Sequence, residues 1–563
     1  MTQPPPDTWP AGCLVLLVRL SADMTGDILT GRGELPPVIA ARQLADELLQ
    51  ALVDTLAAGY PIGHWDIAVV GYRASDAGAA QLVSLLPDGR PQPRYVPLAE
   101  LAAMPVAPRD SEGQPRRWTL LPAAEGSPCP AAALAGVYAL VSVWLTGRFT
   151  ARPPVVIHCT GTAGFDRDYF RIARSLALLT TGYGPVRLLH YVWDAQADEG
   201  LHARLLGVSA ELPGDPETGT APRRGIWIND WDIRDPWEAL FSGPWQQPMT
   251  TGGESTASRL RVRSLNTAKL GNTPEQWEDA LAVDTSAAVA AIADGASSGI
   301  FCRLWAQQLC EGFVRDRPEV CDPTILQQWV NQLRQQWRAA IQYNNLNWSK
   351  KAKVDQVGAA ATLLGWELGP AGSDGQRPWR ACAIGDACLF WIRQNHLLAT
   401  FPVVAAEQLG STPLLVRSNP GFRTSALVAQ GLCAPGDRFL LATDAVAAHF
   451  FQTLAETEPD WHRYETITPE EWIAELDQLR SSRQMVNDDC TLVVLTIDDT
   501  VVNECADHER LAPADAMPPL ADQASPSAAS GHDASPREQS APSARSLPWP
   551  GTADNDECPH GTP

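Results

Sequence analysis

Buried-strand and helix patterns alternate along the first 210 residues, and this alternation constrains the fold more than any other feature of the sequence. Cys13–Leu20 is continuously apolar, as expected for a strand covered on both faces, and Val38–Leu56 then carries leucines at helical spacing. The alternation continues through Trp65–Tyr72, Ala131–Leu145, Pro154–Cys159, Phe170–Leu179 and Val186–Trp193. It predicts an α/β doubly wound sheet with helices on both faces over residues 1–210.

Residues 256–500 show a different pattern, in which short β-like runs are grouped around two helices. The β-like runs are Leu281–Ala293, Thr362–Leu368, Trp379–Ile384, Cys388–Arg393, Arg438–Ala442 and Thr491–Ile497. The helical stretches, Leu304–Val314 and Thr324–Ile341, lie between the first of these runs and the second. This grouping predicts an α+β sandwich.

The segments that flank this second unit have no pattern of a folded domain. Residues 211–255 are rich in Pro, Gly, Thr and Trp and are predicted to be a linker. Residues 501–563 consist mostly of Ala, Pro, Ser, Asp and Glu, and are predicted to be a disordered tail because they hold little that could form a core. The chain is therefore predicted to be multidomain.

Charge and apolar content exclude several classes of protein. A formal net charge of −22 over 563 residues argues against nucleic acid as a partner, since phosphate backbones need clustered Lys and Arg. The longest apolar stretch, Ala131–Leu145, is shorter than the ~20 residues of a membrane span. No export signal precedes Cys13–Val18, and the 12 cysteines form no CxxC pairs. We therefore expect a cytoplasmic protein with reduced thiols and no zinc framework.

Acidic residues in the second unit stand at the ends of apolar runs in five places. A carboxylate at a strand end has its backbone fixed at the rim of a sheet, so several can converge, and convergent carboxylates select Mg²⁺ or Mn²⁺. Gly295 would let its carbonyl oxygen approach a metal closely, since glycine has no Cβ. Any one of these residues is equally consistent with an ordinary turn or loop position. The five places are Glu278-Asp279, Asp294-Gly295, Asp386, Asp444 and Asp488-Asp489.

The order of these acidic elements resembles that of the PPM (type 2C) protein phosphatases. That family has Glu-Asp on an early strand, then Asp-Gly, Gly-Asp, a Thr-Asp-Gly-like site, and Asp-Asn or Asp-Asp before the last strand. The segments DGASSGIFCRLWAQQL, WRACAIGDACLFWIR and GDRFLLATDAVA are also similar to those of bacterial members. The resemblance implies a four-layer αββα sandwich and a metal-dependent serine/threonine phosphatase.

The resemblance also implies roles for individual residues around two Mn²⁺ or Mg²⁺ ions. Asp294 would bridge the two ions. Asp444 and Asp488 would hold one of them, and Glu278 and the carbonyl of Gly295 would serve the other, mostly through water. A water activated by two ions can attack phosphorus in line.

Two further acidic residues have supporting roles in the pattern. Asp279 would orient waters near the pair of ions and is, with Asp294, a candidate catalytic residue. Asp386 matches the Gly-Asp element and would support a third, weaker metal.

The sequence departs from the family pattern at three positions. Gly295 is followed by Ala-Ser-Ser-Gly rather than two glycines, Ala445 replaces a glycine, and Pro274 stands where many eukaryotic members have an arginine. The general acid is not identified, and an inactive pseudophosphatase adaptor is the alternative to an enzyme. The candidates to bind substrate phosphate in place of that arginine are Lys269, Arg261 and Arg263.

The first unit resembles a von Willebrand factor type A domain in its alternation and in the segment PPVVIHCTGTAGFDRDYF. Members with an intact metal site have Asp-x-Ser-x-Ser after the first strand. The matching positions here are Arg19, Ser21 and Asp23, and Gly161 replaces a later Asp. Arg19 puts positive charge where a metal would sit, so we expect a lost metal site and an Arg19–Asp23 ion pair. The resemblance implies a protein-binding domain in bacterial signalling, with a Ser/Thr kinase or its target as the partner.

Two other groups of residues have an ordinary structural interpretation. His158 and His190 fall in predicted core strands, where a buried, hydrogen-bonded histidine is expected. Lys350, Lys351 and Lys353 form a small basic patch with Trp348. A solvated loop is the default interpretation of this patch, and a docking site for a phosphoprotein is the alternative.

Overall fold

The computed structural model describes residues 10–26, 28–30, 33–59, 64–75, 80–88, 90–104, 118–119, 124, 126–193, 199–212, 223–228, 240–241, 260–410 and 413–498. The predicted tail and most of the predicted linker lie outside these residues. Within them, no helix has both the length and the apolar character that a bilayer-spanning segment requires.

The N-terminal unit is built on a mixed sheet of seven strands. Its central strands β10, β7, β1 and β4 are parallel, and the antiparallel strands β5 and β6 both pair with β4. Strand β1 is buried along its whole length, as its continuous apolar run predicts. The strands of this unit are β1 (Gly12–Arg19), β2 (Ile28–Thr30), β3 (Gly33–Leu35), β4 (Trp65–Ala74), β5 (Ala80–Ser84), β6 (Val96–Pro97), β7 (Val155–Thr160), β8 (Thr180–Thr181), β9 (Gly184–Pro185), β10 (Arg187–Val192), β11 (Glu211–Leu212), β12 (Arg223–Arg224) and β13 (Ile226–Ile228).

Helices cover this sheet on two sides. One core cluster joins α1 to Leu14 and Leu16 of β1, and the other joins α3 and α4 to Val15 and Leu17 of the same strand. Alternate side chains of one strand thus face different helices, which confirms the predicted α/β arrangement. The helices are α1 (Pro37–Ala57), α2 (Leu98–Ala103), α3 (Pro130–Leu145), α4 (Arg167–Leu178) and α5 (Glu199–Leu206).

The N-terminal sheet extends into the range predicted as a linker. Strand β13 pairs in parallel with β10 through Ile226–Ile228, and the ring of Trp227 stacks on Tyr191 with centroids 4.5 Å apart. The sequence showed no periodicity here because the strand is only three residues long. The first unit therefore reaches beyond residue 210.

Arg19, the last residue of β1, is the residue predicted to form an ion pair with Asp23. Its side chain is fully buried. It pairs with Asp23 at 2.5 Å and donates to Ser21 Oγ at 2.6 Å and to the Ala163 carbonyl at 2.7 Å. The predicted Arg19–Asp23 ion pair is confirmed.

The two core histidines lie on a continuous chain of buried hydrogen bonds. His158 contacts Tyr72 at 2.9 Å and Tyr169 at 2.7 Å. Tyr169 also contacts His190 at 2.7 Å, and His190 contacts Ser209 Oγ at 2.8 Å. Both imidazoles are fully buried and hydrogen-bonded, as predicted, and burial lowers the pKa of each.

The C-terminal unit contains two antiparallel five-stranded sheets. The first has the order β14-β25-β24-β20-β21 and the second has the order β15-β16-β18-β19-β23. The predicted run Leu281–Ala293 is in fact a hairpin, β15 and β16, that turns between Asp284 and Val289. The strands are β14 (Leu260–Thr267), β15 (Ala280–Asp284), β16 (Val289–Ala293), β17 (Ala360–Ala361), β18 (Leu363–Leu368), β19 (Arg377–Ile384), β20 (Cys388–Arg393), β21 (His396–Phe401), β22 (Val416–Arg417), β23 (Leu427–Cys433), β24 (Arg438–Ala442) and β25 (Cys490–Ile497).

Helices cover the outer face of each sheet and produce four layers. The sheets meet through Trp366, Trp379 and Phe439, whose ring centroids lie 5.0 and 5.2 Å apart across the interface. Helices α6 and α7 pack on the second sheet, and α9 and α11 pack on the first, as the predicted αββα sandwich requires. The helices are α6 (Cys302–Asp316), α7 (Pro323–Ala340), α8 (Trp348–Gln356), α9 (Asp444–Glu456), α10 (Arg463–Thr466) and α11 (Pro469–Ser481).

The N-terminal unit covers one open edge of this sandwich. Strands β21 and β23 are the edge strands of the two sheets, and α4 with the residues after it lies against both. The Thr400 N–H donates to Ser175 Oγ at 2.9 Å, and Leu179 forms an antiparallel bridge with Ala429. The contact protects strand edges that would otherwise expose unpaired backbone groups.

Candidate active site

The predicted acidic residues lie together at one end of the sandwich. The pairs Ala280–Ala293 and Ala442–Leu492 are opposite each other in their sheets, so strand pairing brings the flanking acidic residues to a common end. Asp294 is fixed by Thr362, whose Oγ1 accepts from the Asp294 N–H at 2.8 Å and whose N–H donates to the Asp294 carbonyl at 2.9 Å.

Asp279 is the buried centre of this end. Its Oδ2 accepts hydrogen bonds from Thr491 Oγ1 at 2.8 Å and Thr443 Oγ1 at 3.1 Å. Its Oδ1 is buried and has no hydrogen-bond partner among the described residues. An unpartnered buried carboxylate oxygen is costly, and a cation or a bound water would satisfy it.

The carboxylates raise one another's pKa. Burial, followed by the charges of Asp444, Asp488 and Asp386, raises the pKa of Asp294 to about 7. Burial and then Asp294 raise the pKa of Asp279 well above its usual value. Burial and then Asp444 raise the pKa of Asp386 to about 6. These groups lie within one electrostatic field that favours a cation.

Asp444 begins helix α9 directly after strand β24. Thr443 is the N-cap of that helix, and the side chain of Asp444 accepts from the N–H of Ala445 at 2.5 Å. Burial and then the charge of Asp488 raise the pKa of Asp444. The carboxylate is therefore fixed by a strand end and a helix start together.

Glu278, Asp488 and Lys269 form the more exposed rim. Lys269 Nζ lies 3.5 Å from Asp488 Oδ1 and 4.0 Å from Glu278 Oε2. Ser297 Oγ donates to Glu278 at 2.6 Å and accepts from Lys269 at 3.2 Å. Burial lowers the pKa of Lys269, but Asp488, Asp489 and Glu278 outweigh it, so the pKa rises overall.

Lys269 is the candidate phosphate ligand that the structure brings to the rim. Arg261 pairs with Asp498 at 2.6 Å, and Arg263 donates to the Glu465 carbonyl at 3.1 Å. Pro274 begins a 3₁₀ turn and supplies no charge. The other two candidates are thus engaged elsewhere.

Asp489 is a positioning residue, a role that the sequence analysis did not assign to it. Its Oδ1 accepts from the Lys269 N–H at 2.8 Å, and its Oδ2 accepts from the Glu278 N–H at 2.7 Å. It therefore joins the loop after β14 to the loop before β15. Its position in a tandem Asp pair was the available signal.

Gly295 lies where a side chain could not fit. A Cβ at this position would stand 2.5 Å from the carbonyl oxygen of Glu278. A larger residue would push apart the loops that carry Glu278 and Asp294. Glycine therefore keeps these two loops in contact.

The donor set fits a hard divalent cation by its chemistry. Carboxylate and carbonyl oxygens are the ligands that Mg²⁺ and Mn²⁺ prefer, and Asp279 Oδ1 is an orphaned buried oxygen among them. As placed, no three Asp, Glu, His or Cys side chains of the described residues stand close enough to hold one ion together. An ion bound to these side chains through bridging water molecules would agree both with the donor chemistry and with the separation of the side chains.

Comparison with known families assigns the C-terminal unit. Residues 272–479 match the family model described as "Protein phosphatase 2C". This span includes Glu278, Asp279, Asp294, Asp386 and Asp444, and ends before Asp488. No curated protein gives a significant match to the chain.

Several solved phosphatase structures are similar to parts of this chain. The catalytic domain of the serine/threonine phosphatase PstP with two manganese ions is 17% identical, with 43% of this chain and 99% of that chain covered and a TM-score of 0.29. PppA, a regulatory component of T6SS in Pseudomonas aeruginosa, is 18% identical over 43% and 99%, with a TM-score of 0.28. MsPP, a PPM Ser-Thr phosphatase from Mycobacterium smegmatis in complex with cacodylate, is 17% identical over 43% and 100%, with a TM-score of 0.26.

These TM-scores are too low to carry weight, so the assignment rests on the family model together with the order of the acidic residues. The match leaves the first 271 residues without an assigned family. Residues 272–479 form a protein phosphatase 2C domain, and this domain supports the assignment of the chain as a protein phosphatase.

Proposed function

We propose that the C-terminal unit removes phosphate from serine or threonine residues of a phosphoprotein, with two Mn²⁺ or Mg²⁺ ions as cofactors. The observation that carries the proposal is the convergence of Asp279, Asp294, Asp386 and Asp444 within one electrostatic field. The match to the phosphatase 2C model supports the same function.

Five residues are the proposed first ligands of the two ions. Asp294 serves both ions, Asp444 and Asp488 serve one, and Glu278 and the Gly295 carbonyl serve the other. When bound, the ions would lower the pKa of a water molecule and neutralise charge on the phosphoryl group. The close approach of Gly295 to Glu278 supports this assignment.

Asp279 and Asp386 complete the proposed acidic set. Two threonine hydroxyls orient the Asp279 carboxylate, which leaves its free oxygen to accept a hydrogen bond from water beside the ions. Asp386 is the proposed ligand of a third ion. Its raised pKa is consistent with a carboxylate that binds a cation only when deprotonated.

Lys269 is the proposed ligand of the substrate phosphate. Its ammonium stands at the rim among Ser297, Glu278 and Asp488, where an incoming phosphate would meet the acidic site. A lysine can exchange a carboxylate partner for a phosphate oxygen without moving its backbone. It would replace the arginine that is absent at Pro274.

The alternative function is a pseudophosphatase adaptor. The same Lys269 contacts favour it, because an internal ammonium beside Asp488 and Glu278 neutralises part of the charge that would otherwise require a metal. Such a protein would bind phosphate or metal without turnover.

The N-terminal unit is proposed to be a type A-like protein-binding domain of a cytoplasmic signalling enzyme. The ion pair of the buried Arg19 with Asp23 supports binding that does not depend on a metal there. The proposed partner is a Ser/Thr kinase or its target, and neither nucleic acid nor membrane is a proposed partner.

The test is phosphate release from a phosphothreonine peptide by the full chain, with Mn²⁺ and with EDTA. We expect turnover with Mn²⁺ only, and a loss of at least about a hundredfold in Asp294→Asn and Asp444→Asn. Asp284→Asn is the matched control, because this exposed carboxylate only caps the β15–β16 turn. Absence of turnover in a folded wild-type protein that binds Mn²⁺ would reject the enzyme and favour the adaptor.

A further inference from the structure

Lysine is rare in this chain, and its lysines fall in two places, the rim of the candidate active site and one short helix. Only four of the 43 basic residues are lysines, and the rest are arginines. Lys269 lies on the rim of the acidic site. The other three, Lys350, Lys351 and Lys353, lie in the short helix α8. The chain otherwise uses arginine, and three of its four lysines lie in one short helix.

Two of the α8 lysines are not used by the fold. Lys351 donates to the Asn344 carbonyl at 2.9 Å and helps to hold the preceding turn. Lys350 and Lys353 are exposed, and neither ammonium has an ion pair or hydrogen bond with any described residue. Being three residues apart, they share one face of the helix.

Trp348 adds an apolar surface at the start of the same helix. Its side chain is 84% exposed, the most exposed large hydrophobic residue described. The Asn347 side chain caps the helix by accepting from the Lys350 N–H at 2.9 Å, so Trp348 is held at a fixed position on the surface. An exposed tryptophan beside free cations is typical of a binding surface.

This basic face is joined directly to the loop that follows Asp294. The Ala296 N–H donates to the Ala360 carbonyl at 2.9 Å, and the Ile300 N–H donates to the Gly358 carbonyl at 3.0 Å. Both acceptors lie just after α8. Burial raises the pKa of the Cys302 thiol, at the other end of this loop, and the charge of Lys353 partly opposes that rise.

We propose that Trp348, Lys350 and Lys353 bind acidic residues that flank the phosphorylated serine or threonine, so that the substrates are acidic phosphoprotein segments. The proposal rests on the phosphatase function proposed above and names its substrate class. Charge complementarity supports this substrate class, because a chain of net charge −22 repels acidic segments except where unpaired cations are clustered. Flexible ammonium groups accommodate carboxylates at varied positions.

The test compares two phosphothreonine peptides of equal length, one with Asp and Glu flanks and one with Ser and Gly flanks. The readout is the ratio of their kcat/KM values, in which a general loss of activity cancels. We expect the wild-type protein to prefer the acidic peptide about tenfold. Lys350→Glu/Lys353→Glu should abolish or reverse the preference, and Trp348→Ala should lower kcat/KM for both peptides alike.

Arg315→Glu is the matched control for a single reversal such as Lys353→Glu. Arg315 is exposed and lies 13 residues beyond Cys302 on α6, about 20 Å along the helix axis. We expect this variant to keep the wild-type ratio within about twofold. The preference should also collapse at about 1 M salt, where the Debye length is about 3 Å.

Binding of labelled peptides, measured by fluorescence anisotropy with the Asp294→Asn protein, tests the surface without turnover. Tighter binding of the acidic peptide that Lys350→Glu/Lys353→Glu removes would support the surface. Equal binding of both peptides, or an equal effect of Arg315→Glu, would overturn it. Failure of the wild-type protein to hydrolyse either peptide or p-nitrophenyl phosphate would count against the phosphatase, while this binding result still decides the surface.

Discussion

The ammonium of Lys269 lies 3.5 Å from Oδ1 of Asp488 and so links two loops that are 219 residues apart in the chain. It also stands 4.0 Å from Glu278, which lies in the loop before β15 of the other sheet. The cation thus holds the rim of both sheets together. It is also free to be shared with an incoming anion.

Replacement of Lys269 should weaken the binding of phosphorylated substrates. We expect Lys269→Ala to lower kcat/KM for a phosphothreonine peptide about 10- to 100-fold, mainly through KM, because a charge-assisted bond to phosphate is lost. Lys269→Arg should restore part of the lost kcat/KM. Steady-state kinetics at saturating Mn²⁺ is the measurement.

Arg261→Ala is the control for this prediction. Arg261 is the alternative phosphate ligand from sequence, and its partner Asp498 lies outside the acidic site. Its removal should leave kcat/KM within about twofold. An equal loss in both variants would contradict a specific role for Lys269.

The pKa of Asp294 predicts how metal-free protein responds to pH. Its folded pKa of about 7 lies above the ordinary value of 3.8, so the folded state holds a proton that the unfolded state has lost between these values. This carboxyl therefore destabilises the fold as pH rises through that window. In EDTA, the Tm of Asp294→Asn should exceed that of wild type by a margin that grows from about pH 5 to about pH 8.

Comparison with wild type at each pH isolates this effect. His158 and His190 have lowered pKa values, and by the same linkage they raise stability with pH in both proteins, so their contribution cancels. Asp284→Asn is the control, because hydrogen bonds from Ser286 and Ala287 lower the pKa of that exposed carboxyl. A Tm difference that shrinks towards high pH would refute the prediction.

The positions of these acidic residues at strand ends could be predicted from the sequence, because each acidic residue follows or precedes a continuous apolar run. The end of a strand can be recognised from the local sequence. The order of five such strand ends, which resembles the order in one family, is what predicts a single site. The helix after Asp444 was missed, because the sequence was interpreted only as a strand end although Asp444–Glu456 is helical. Strand β21 was missed as well.

The choice between Lys269 and the two arginines could not be made from sequence. Arg261 and Arg263 lie within β14, where they pair with Thr496 and Val494 of β25. Only the register of that pairing places Lys269, two residues past the strand end, beside Asp488. Register between strands more than 200 residues apart in the chain is a property of the folded sheet. The contact of α4 with β21 likewise joins elements more than 200 residues apart in the chain, so it too is a property of the folded protein.

Replacement of Thr491 should change both the stability of the fold and the affinity for metal, because Thr491 holds the Asp279 carboxylate. Thr491→Val keeps the shape but removes the 2.8 Å hydrogen bond to the buried carboxylate. We expect a loss of about 1.5–3 kcal/mol in the free energy of unfolding and a higher Mn²⁺ concentration for half-maximal activity. Denaturant titration and Mn²⁺ titration are the two measurements.

Thr496→Val on the same strand is the control. Its hydroxyl donates to Glu465 at 2.6 Å, away from the acidic site. This variant should also lose stability, but its Mn²⁺ requirement should stay unchanged. A shift in the Mn²⁺ requirement of both variants would show that the effect follows general destabilisation.

Arg171 of α4 ties the N-terminal unit to the loop that supports Asp386. Its guanidinium donates to the Val404 carbonyl at 2.9 Å, and Gln408 in the same loop donates to the Ala135 carbonyl of α3 at 2.9 Å. The loop continues to Gly410, whose backbone N–H opposes the burial that raises the pKa of Asp386 and so lies near its carboxylate. One loop thus contacts two helices of the first unit and one proposed metal ligand.

Arg171→Ala should therefore weaken a metal site that the residue does not touch. Loss of the donor leaves the Val404 carbonyl buried without this partner, which should cost about 1–3 kcal/mol of stability. We expect the Mn²⁺ concentration for half-maximal activity to rise, because the Gly410 N–H is then less well held against Asp386. Arg167→Ala, one turn earlier, removes an ion pair between a largely exposed guanidinium and Glu458, which is outside the loop to Gly410, and should leave the Mn²⁺ requirement nearly unchanged. If Arg171→Ala lowers stability while the Mn²⁺ requirement stays at the wild-type value, the N-terminal unit stabilises the sandwich edge without positioning Asp386.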